Sequence, residues 1–245
     1  MQGRSLGMTL FGGDIATREQ ALNTDNCVIV CYRSLMTRSP SLCGIILAAG
    51  ASSRMGRDKA LLPWPPGHPG GMRNTLLGAW IELLRPHTDM VIVVGGANSH
   101  NLESVVYSIG GFLVENRAPE LGQFSSLKLG LQEILGRGRD SAIVALVDRP
   151  PVQPATMAQL HSAFLGALEQ SFWAVVPEHD ERHGHPILLA REMIEALLRT
   201  QLTATARDIL HANATHICYV PVEDARITMN INTQEDYDRL AAENT

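Results

Sequence analysis

The sequence predicts an α/β fold: a three-layer αβα sandwich around a mostly parallel sheet. Three observations carry that expectation. Short, wholly apolar runs recur along the chain, as strands buried on both faces require. Segments with apolar residues on one helical face separate them. The 245 residues, 45% hydrophobic and 18% charged, are enough to bury a sizeable core.

The elements follow in order. Ile45-Ile46-Leu47-Ala48 reads as the first strand. Over 75–85, Leu76, Leu77, Trp80, Leu83 and Leu84 share a helical face. Met90 to Val94 reads as a second strand, closed by Gly95-Gly96. A helix is expected from Asn98, then a weaker strand at Phe112-Leu113-Val114. Phe124, Leu127, Leu131, Ile134 and Leu135 mark another helix, and Ala142 to Val147 a fourth strand. Met157, Leu160 and Phe164 predict the next helix, and Ala174-Val175-Val176 the next strand. Alternation at this spacing implies parallel βαβ units. The last third is less regular and closes with Ile227 to Ile231 and a short helix from about Thr233. Residues 1–42, mixed in composition, read as a poorly ordered extension outside the core.

Composition narrows the function. A net charge of -5 argues against a general nucleic-acid or anionic-membrane surface. No run of about 18 apolar residues suggests a membrane span. The first 19 residues carry Asp14 and Glu19 and lack the apolar region of a secretory signal, so a cytoplasmic protein is expected. Cys27, Cys31, Cys43 and Cys218 match no zinc spacing and read as reduced thiols.

Open parallel sheets bind ligands beyond the carboxyl ends of their strands. The loop after the first strand is Leu47-Ala48-Ala49-Gly50-Ala51-Ser52-Ser53-Arg54-Met55-Gly56-Arg57-Asp58-Lys59. Small residues let the backbone approach a ligand, and successive N–H groups can cradle an anion. Arg54 and Lys59 bring positive charge to the same place. The spacing is neither a P-loop nor a dinucleotide fingerprint.

That string resembles the signature of the MobA-like nucleotidyltransferase family, L-A-[AG]-G-x-S-x-R-M-G-x-x-K, at every fixed position. The resemblance covers roughly residues 43–240. Ala48-Ala49-Gly50 is more similar to the molybdenum cofactor cytidylyltransferase branch than to the guanylyltransferase branch. The family implies a Rossmann-like nucleotide-diphospho-sugar transferase fold, with residues 43–245 as the nucleotidyltransferase domain. Further segments match. Leu121-Gly122-Gln123-Phe124-Ser125-Ser126-Leu127 resembles a base-lining Gly-x-x-x-Ser-Leu segment at a helix start. Leu146-Val147-Asp148-Arg149-Pro150 resembles Leu-Gly-Asp-x-Pro, whose Asp binds magnesium; here Val147 replaces the usual Gly. Arg182-His183-Gly184-His185-Pro186 resembles the segment that borders the acceptor. Met229-Asn230-Ile231-Asn232-Thr233 resembles the closing Asp-Ile-Asp-Thr, with Asn230 at the first Asp. Thr233 and Asp236 also read as a helix capping pair.

The resemblance therefore implies a magnesium-dependent transfer of NMP, CMP from CTP by preference, to a phosphorylated acceptor such as molybdenum cofactor. Arg54, Lys59 and Asp148 carry the chemistry. Leu47, Ala48, Ala49, Gly50, Ser52, Ser53, Gly95, Gln123, Ser125 and Ser126 join Arg54 and Lys59 around the nucleotide. Gly184 and His185 face the acceptor, and Asp148 with Asn230 hold Mg2+. Hand-over of the product to a molybdoenzyme or its chaperone would follow. The alternatives are another acceptor (a sugar, alditol or other cofactor phosphate) or a homologue that binds nucleotide without catalysis.

Overall fold

The computed structural model describes residues 41–50 and 56–243; most of the 1–42 extension, together with Ser52, Ser53 and Arg54, lies outside the described residues. β1 (Leu42–Leu47) is followed by α1 (Leu76–Leu84), β2 (Met90–Gly95), α2 (Ser99–Ser108) and β3 (Phe112–Glu115). Then come α3 (Gln123–Gly136), β4 (Ser141–Leu146), α4 (Pro154–Glu169), β5 (Ala174–His179), β6 (Arg182–His183) and β7 (Ile187–Leu189). α5 (Arg191–Arg199), α6 (Ala206–Ala212), β8 (Ile217–Pro221) and α7 (Gln234–Glu243) complete the chain.

The strands join in one sheet, ordered β3-β2-β1-β4-β7-β5-β6, with β8 also paired to β5. β3, β2, β1 and β4 run parallel. β7 lies antiparallel between β4 and β5, while β5 and β8 are parallel. The expected mostly parallel sandwich is therefore present, with one interruption that periodicity did not reveal. β7 is only three residues, Ile187-Leu188-Leu189, too short for a periodic signal. It continues the return from β5 that begins at β6, after a break at Gly184–Pro186.

Both faces of the sheet are covered, as the continuous apolar strands require. Leu42 and Ile46 of β1 pack with α1, α2 and α4 through Trp80, Leu102 and Phe164. Cys43, Ile45 and Leu47 pack on the opposite face with α3 and α5 through Leu131, Ile134 and Met193. Side chains of this size each contribute about 1.5–3 kcal/mol when fully buried. α1 starts where Thr75 accepts a hydrogen bond from the Gly78 N–H at 3.0 Å. A third cluster, Leu62, Leu76, Ile231, Tyr237 and Leu240, seats α7 beside the first loop.

The order 3-2-1-4 makes a topological switch. From β1 the chain winds outward to β2 and β3, then returns to place β4 on the other side of β1. A crevice opens where such winding reverses, at the carboxyl ends of β1 and β4.

Candidate active site

Two adjoining cavities occupy that crevice. The first is lined by Leu47, Ala49, Gly50, Lys59, Pro119, Gly122, Gln123, Ser126, Val147 and Asp148, and spans about 610 Å³ of space that opens to solvent. Seven residues expected at the nucleotide or its metal are thus brought together: Leu47, Ala49, Gly50, Lys59, Gln123, Ser126 and Asp148. Ala48, Gly95, Ser125 and Asn230 do not line it.

Each wall has a local cause. The Val147 N–H donates to the Leu47 carbonyl at 3.1 Å, continuing the β1–β4 ladder beyond the strands. Val147 itself is buried in the core with Ala48, Trp80 and Val152. Asp148 follows on the turn, and its carbonyl accepts from the Ile231 N–H at 2.7 Å. The segment Asn230–Asn232 is thereby laid against the turn. Asn230 is exposed, whereas the Asn232 Oδ1 accepts from the Lys59 Nζ at 3.3 Å. The resemblance points to Asn230 as a metal ligand; the side-chain contact to Lys59 is made by Asn232, two residues on.

Lys59 sits on a single 3-10 turn, Lys59–Leu61, capped by Asp58, whose Oδ1 accepts from the Ala60 N–H at 3.0 Å. The Asp58 Oδ2 accepts from the Asn98 Nδ2 at 2.7 Å. The same Nδ2 donates to the Ala48 carbonyl at 3.0 Å, and the Asn98 Oδ1 accepts from the Gly96 N–H at 3.0 Å. One side chain therefore ties the end of β1, the end of β2 and the turn carrying Lys59. Asn98 precedes α2 without capping it. Its only sequence signal was an Asn two residues after Gly-Gly at a strand end, where a short polar side chain can bond nearby backbone groups.

Asn116 plays a similar part on the other wall. Its Nδ2 lies 2.9 Å from both the Ser125 and Ser126 Oγ. Ser125 also donates to the Gly122 carbonyl at 2.8 Å, so its hydroxyl serves the backbone. Ser126 is 2% exposed and faces the cavity. Gly122 opens α3 with φ 89°, a left-handed conformation that suits glycine. The free N–H groups of a helix start favour an anion nearby. Gly95 leaves room for the start of α2, since a Cβ there would meet the Ser99 Oγ at 2.5 Å.

The second cavity is larger, about 1680 Å³. It shares Leu47, Gly122 and Gln123 with the first and extends over Arg149, Gly184, His185 and Tyr219 to the α5–α6 connection. Gly184 packs too closely for any side chain, since a Cβ would lie 2.2 Å from the Ile227 carbonyl oxygen. Burial, reinforced by the Arg149 charge, pushes the His185 imidazole down to about 3, so it is neutral at working pH. His179, His183 and His185 make no metal centre; among the described residues no cluster of three His, Cys, Asp or Glu side chains could hold an ion.

One atom in the first cavity does call for a cation. The Asp148 Oδ1 is buried and has no hydrogen-bond partner. Leaving a carboxylate oxygen desolvated and unsatisfied is costly. A hard cation on that oxygen would offset the cost, completing its shell from phosphate and water. The residues present thus fit a divalent cation that Asp148 would hold, supplying positive charge beside a bound phosphate.

The chain is 27% identical over 208 residues to a probable molybdenum cofactor guanylyltransferase of Mycobacterium avium, covering 84% of this chain and 98% of that protein. It is 26% identical over 195 residues to the molybdenum cofactor cytidylyltransferase of Escherichia coli, covering 79% and 92%. The crystal structure of Rv0371c from Mycobacterium tuberculosis superposes with a TM-score of 0.67 at 25% identity, covering 82% of this chain and 97% of that one. The MobA-like NTP transferase domain matches residues 44–217. With the switch-point crevice, the small-residue loop and the strand-end aspartate all inside that match, the chain belongs to the MobA-like NTP transferase family and is a nucleotidyltransferase.

Proposed function

We propose that the chain transfers CMP from CTP to the phosphate of a molybdenum-cofactor-type acceptor and releases pyrophosphate, with residues 43–245 as the catalytic unit. The observation that carries this is Asp148, whose Oδ1 is buried and unpartnered, lining the same cavity as Lys59 and the first-strand loop. The acceptor class rests on relatives named as molybdenum cofactor guanylyl- and cytidylyltransferases. Cytidine rests on the Ala48-Ala49-Gly50 form of the loop.

In this reading the triphosphate lies along the first-strand loop. Lys59, positioned by Asn232, neutralises phosphate oxygens, and Arg54 serves the same end from the loop outside the described residues. The base lies against Gln123 and Ser126. Asp148 would hold magnesium, and Asn230, exposed on the segment laid against the Asp148 turn, would be the neutral second oxygen that the family resemblance implies. When bound, the ion supplies charge neutralisation at the α-phosphate. An acceptor phosphate oxygen, already anionic, forms the new bond to the α-phosphorus as the α–β bridging bond breaks. The electron pair leaves with pyrophosphate, so no general base is required and alignment dominates. Gly184 and His185 border the acceptor. Delivery of the product to a molybdoenzyme or its chaperone completes the reading.

Thermal unfolding with CTP, GTP, ATP and UTP, with and without magnesium, tests it. At about a hundred times Kd, a ligand stabilises by roughly 2.7 kcal/mol. The expected result is a magnesium-dependent shift largest for CTP. A GTP-selective shift overturns the cytidine assignment and keeps the reaction. No shift with any nucleotide overturns the reading.

A further inference from the structure

The turn after β4 carries two charged residues of opposite sign that face different cavities. Asp148 lines the first and Arg149 the second. Arg149 stands at the variable position of the Asp-x-Pro segment, so the family signature assigns it no role. Its guanidinium is half-buried, and the Nη1 donates to the Ile227 carbonyl at 2.7 Å. The Trp80 Nε1 donates to the Arg149 carbonyl at 2.9 Å, which fixes the backbone. Yet the Nε is buried with no partner, and Arg149 makes no salt bridge among the described residues. The neighbouring Asp148 charge favours the guanidinium without pairing with it, burial disfavours it more, and an anion at the Nε would offset that cost. Beside it, the His185 Nδ1 is also buried and without a partner. Two unsatisfied nitrogens thus belong to one end of one cavity.

The rest of that cavity is of another kind. Leu121, Leu202 and Tyr219, exposed by 54, 43 and 37%, border its mouth. Tyr219 and His183 stack there with ring centroids 4.2 Å apart and planes 14° from parallel. A flat, partly wet aromatic pair in an apolar rim suits a planar heterocycle.

Resting on the proposed nucleotidyl transfer, we infer that Arg149 is the acceptor-binding residue of the second cavity: with His185 it takes the acceptor's phosphate, while Tyr219 and His183 carry its planar ring. Arg presents a planar fork that matches phosphate oxygens. Because Arg149 adjoins Asp148, a phosphate held on it stands at the border the two cavities share.

The probe is 4-methylumbelliferyl phosphate, a planar heteroaromatic phosphate monoester, titrated calorimetrically into the full chain saturated with CTP and magnesium. The wild type is expected to bind it. Arg149→Met should weaken binding at least tenfold, and Tyr219→Ala about three- to tenfold, while the thermal shift with CTP persists in both. Unchanged affinity in both variants overturns the inference, as does no binding by the wild type. If Arg149→Met fails to fold, Tyr219→Ala decides alone. A wild type that shows no thermal shift with any nucleotide refutes the underlying reaction instead; a normal shift with probe binding unchanged in both variants refutes only this inference.

Discussion

Asp148 is the residue on which the proposed chemistry turns, because its Oδ1 is held buried without a partner. Asp148→Asn keeps the shape and removes the charge. We expect kcat to fall by at least about 10²-fold, the scale for losing one transition-state charge stabiliser. Pyrophosphate release followed under saturating magnesium checks this, and an unchanged rate would remove Asp148 from the mechanism. Gly184 gives a sharper steric test. A methyl group at 2.2 Å from the Ile227 carbonyl oxygen cannot be accommodated without moving the chain. Gly184→Ala should therefore cost at least about 1–3 kcal/mol, the usual range for overpacking. Denaturant unfolding would reveal it, and a wild-type midpoint would mean that the Ile227 loop gives way freely.

Among the elements, the loop after β1 depends on contacts from outside itself. Asn98 bonds the Gly96 N–H, the Ala48 carbonyl and the Asp58 carboxylate. Asn98→Ala leaves the latter two acceptors unpaired, at about 1–3 kcal/mol for a buried group left unsatisfied. The expected signature is a raised KM for nucleotide with a smaller loss in kcat, since Lys59 is displaced while Asp148 is untouched. Steady-state kinetics against nucleotide concentration separates the two. At the other end, α7 begins with a reciprocal cap. The Thr233 N–H donates to the Asp236 Oδ2 at 3.0 Å, and the Asp236 N–H donates to the Thr233 Oγ1 at 3.2 Å. Thr233→Ala should cost about 1 kcal/mol, which for a domain of this size lowers Tm by roughly 2–4 °C. The same cap positions Asn232 beside Lys59, because the Asn232 N–H also donates to the Asp236 carboxylate at 2.9 Å.

For the whole molecule, the titrating groups define a pH window. Burial lowers His185 from 6.5 to about 3, and it also lowers His87 and His161. Below pH 6.5 the unfolded chain takes up protons that the folded chain refuses, so stability declines as pH falls toward 3. His185 alone accounts for at most about 1.4 kcal/mol per pH unit over that range. Asp236, held below its ordinary value by the backbone N–H groups of Asn232 and Thr233, adds to the acid side below about pH 4. On the alkaline side, burial raises Cys43 from 9.0 to about 11; the unfolded thiol ionises first, and stability declines above pH 9. Denaturation midpoints measured from pH 4 to 10 should form a plateau between about 6.5 and 9. A midpoint that rose on acidification would contradict the buried state of these histidines.

The layers and the order of the first half were legible in the sequence. Continuous apolar strands and 3.6-period helices are local patterns, written wherever an element is buried on two faces or on one. The sequence also singled out Leu47, Ala49, Gly50, Lys59 and Asp148, which line one cavity, because each lies at a strand end or in the segment that follows one. Only the tertiary structure decided what meets across distance. It inserted the three-residue β7 between β4 and β5, set Asn232 rather than Asn230 against Lys59, and made Asn98 and Asn116 the ties of two walls. It also turned Asp148 and Arg149 toward different cavities. Those outcomes follow from hydrogen bonds and packing between residues far apart along the chain. Such contacts leave no period in the sequence, and a single Asn or Arg looks the same there whether it faces water or completes a site.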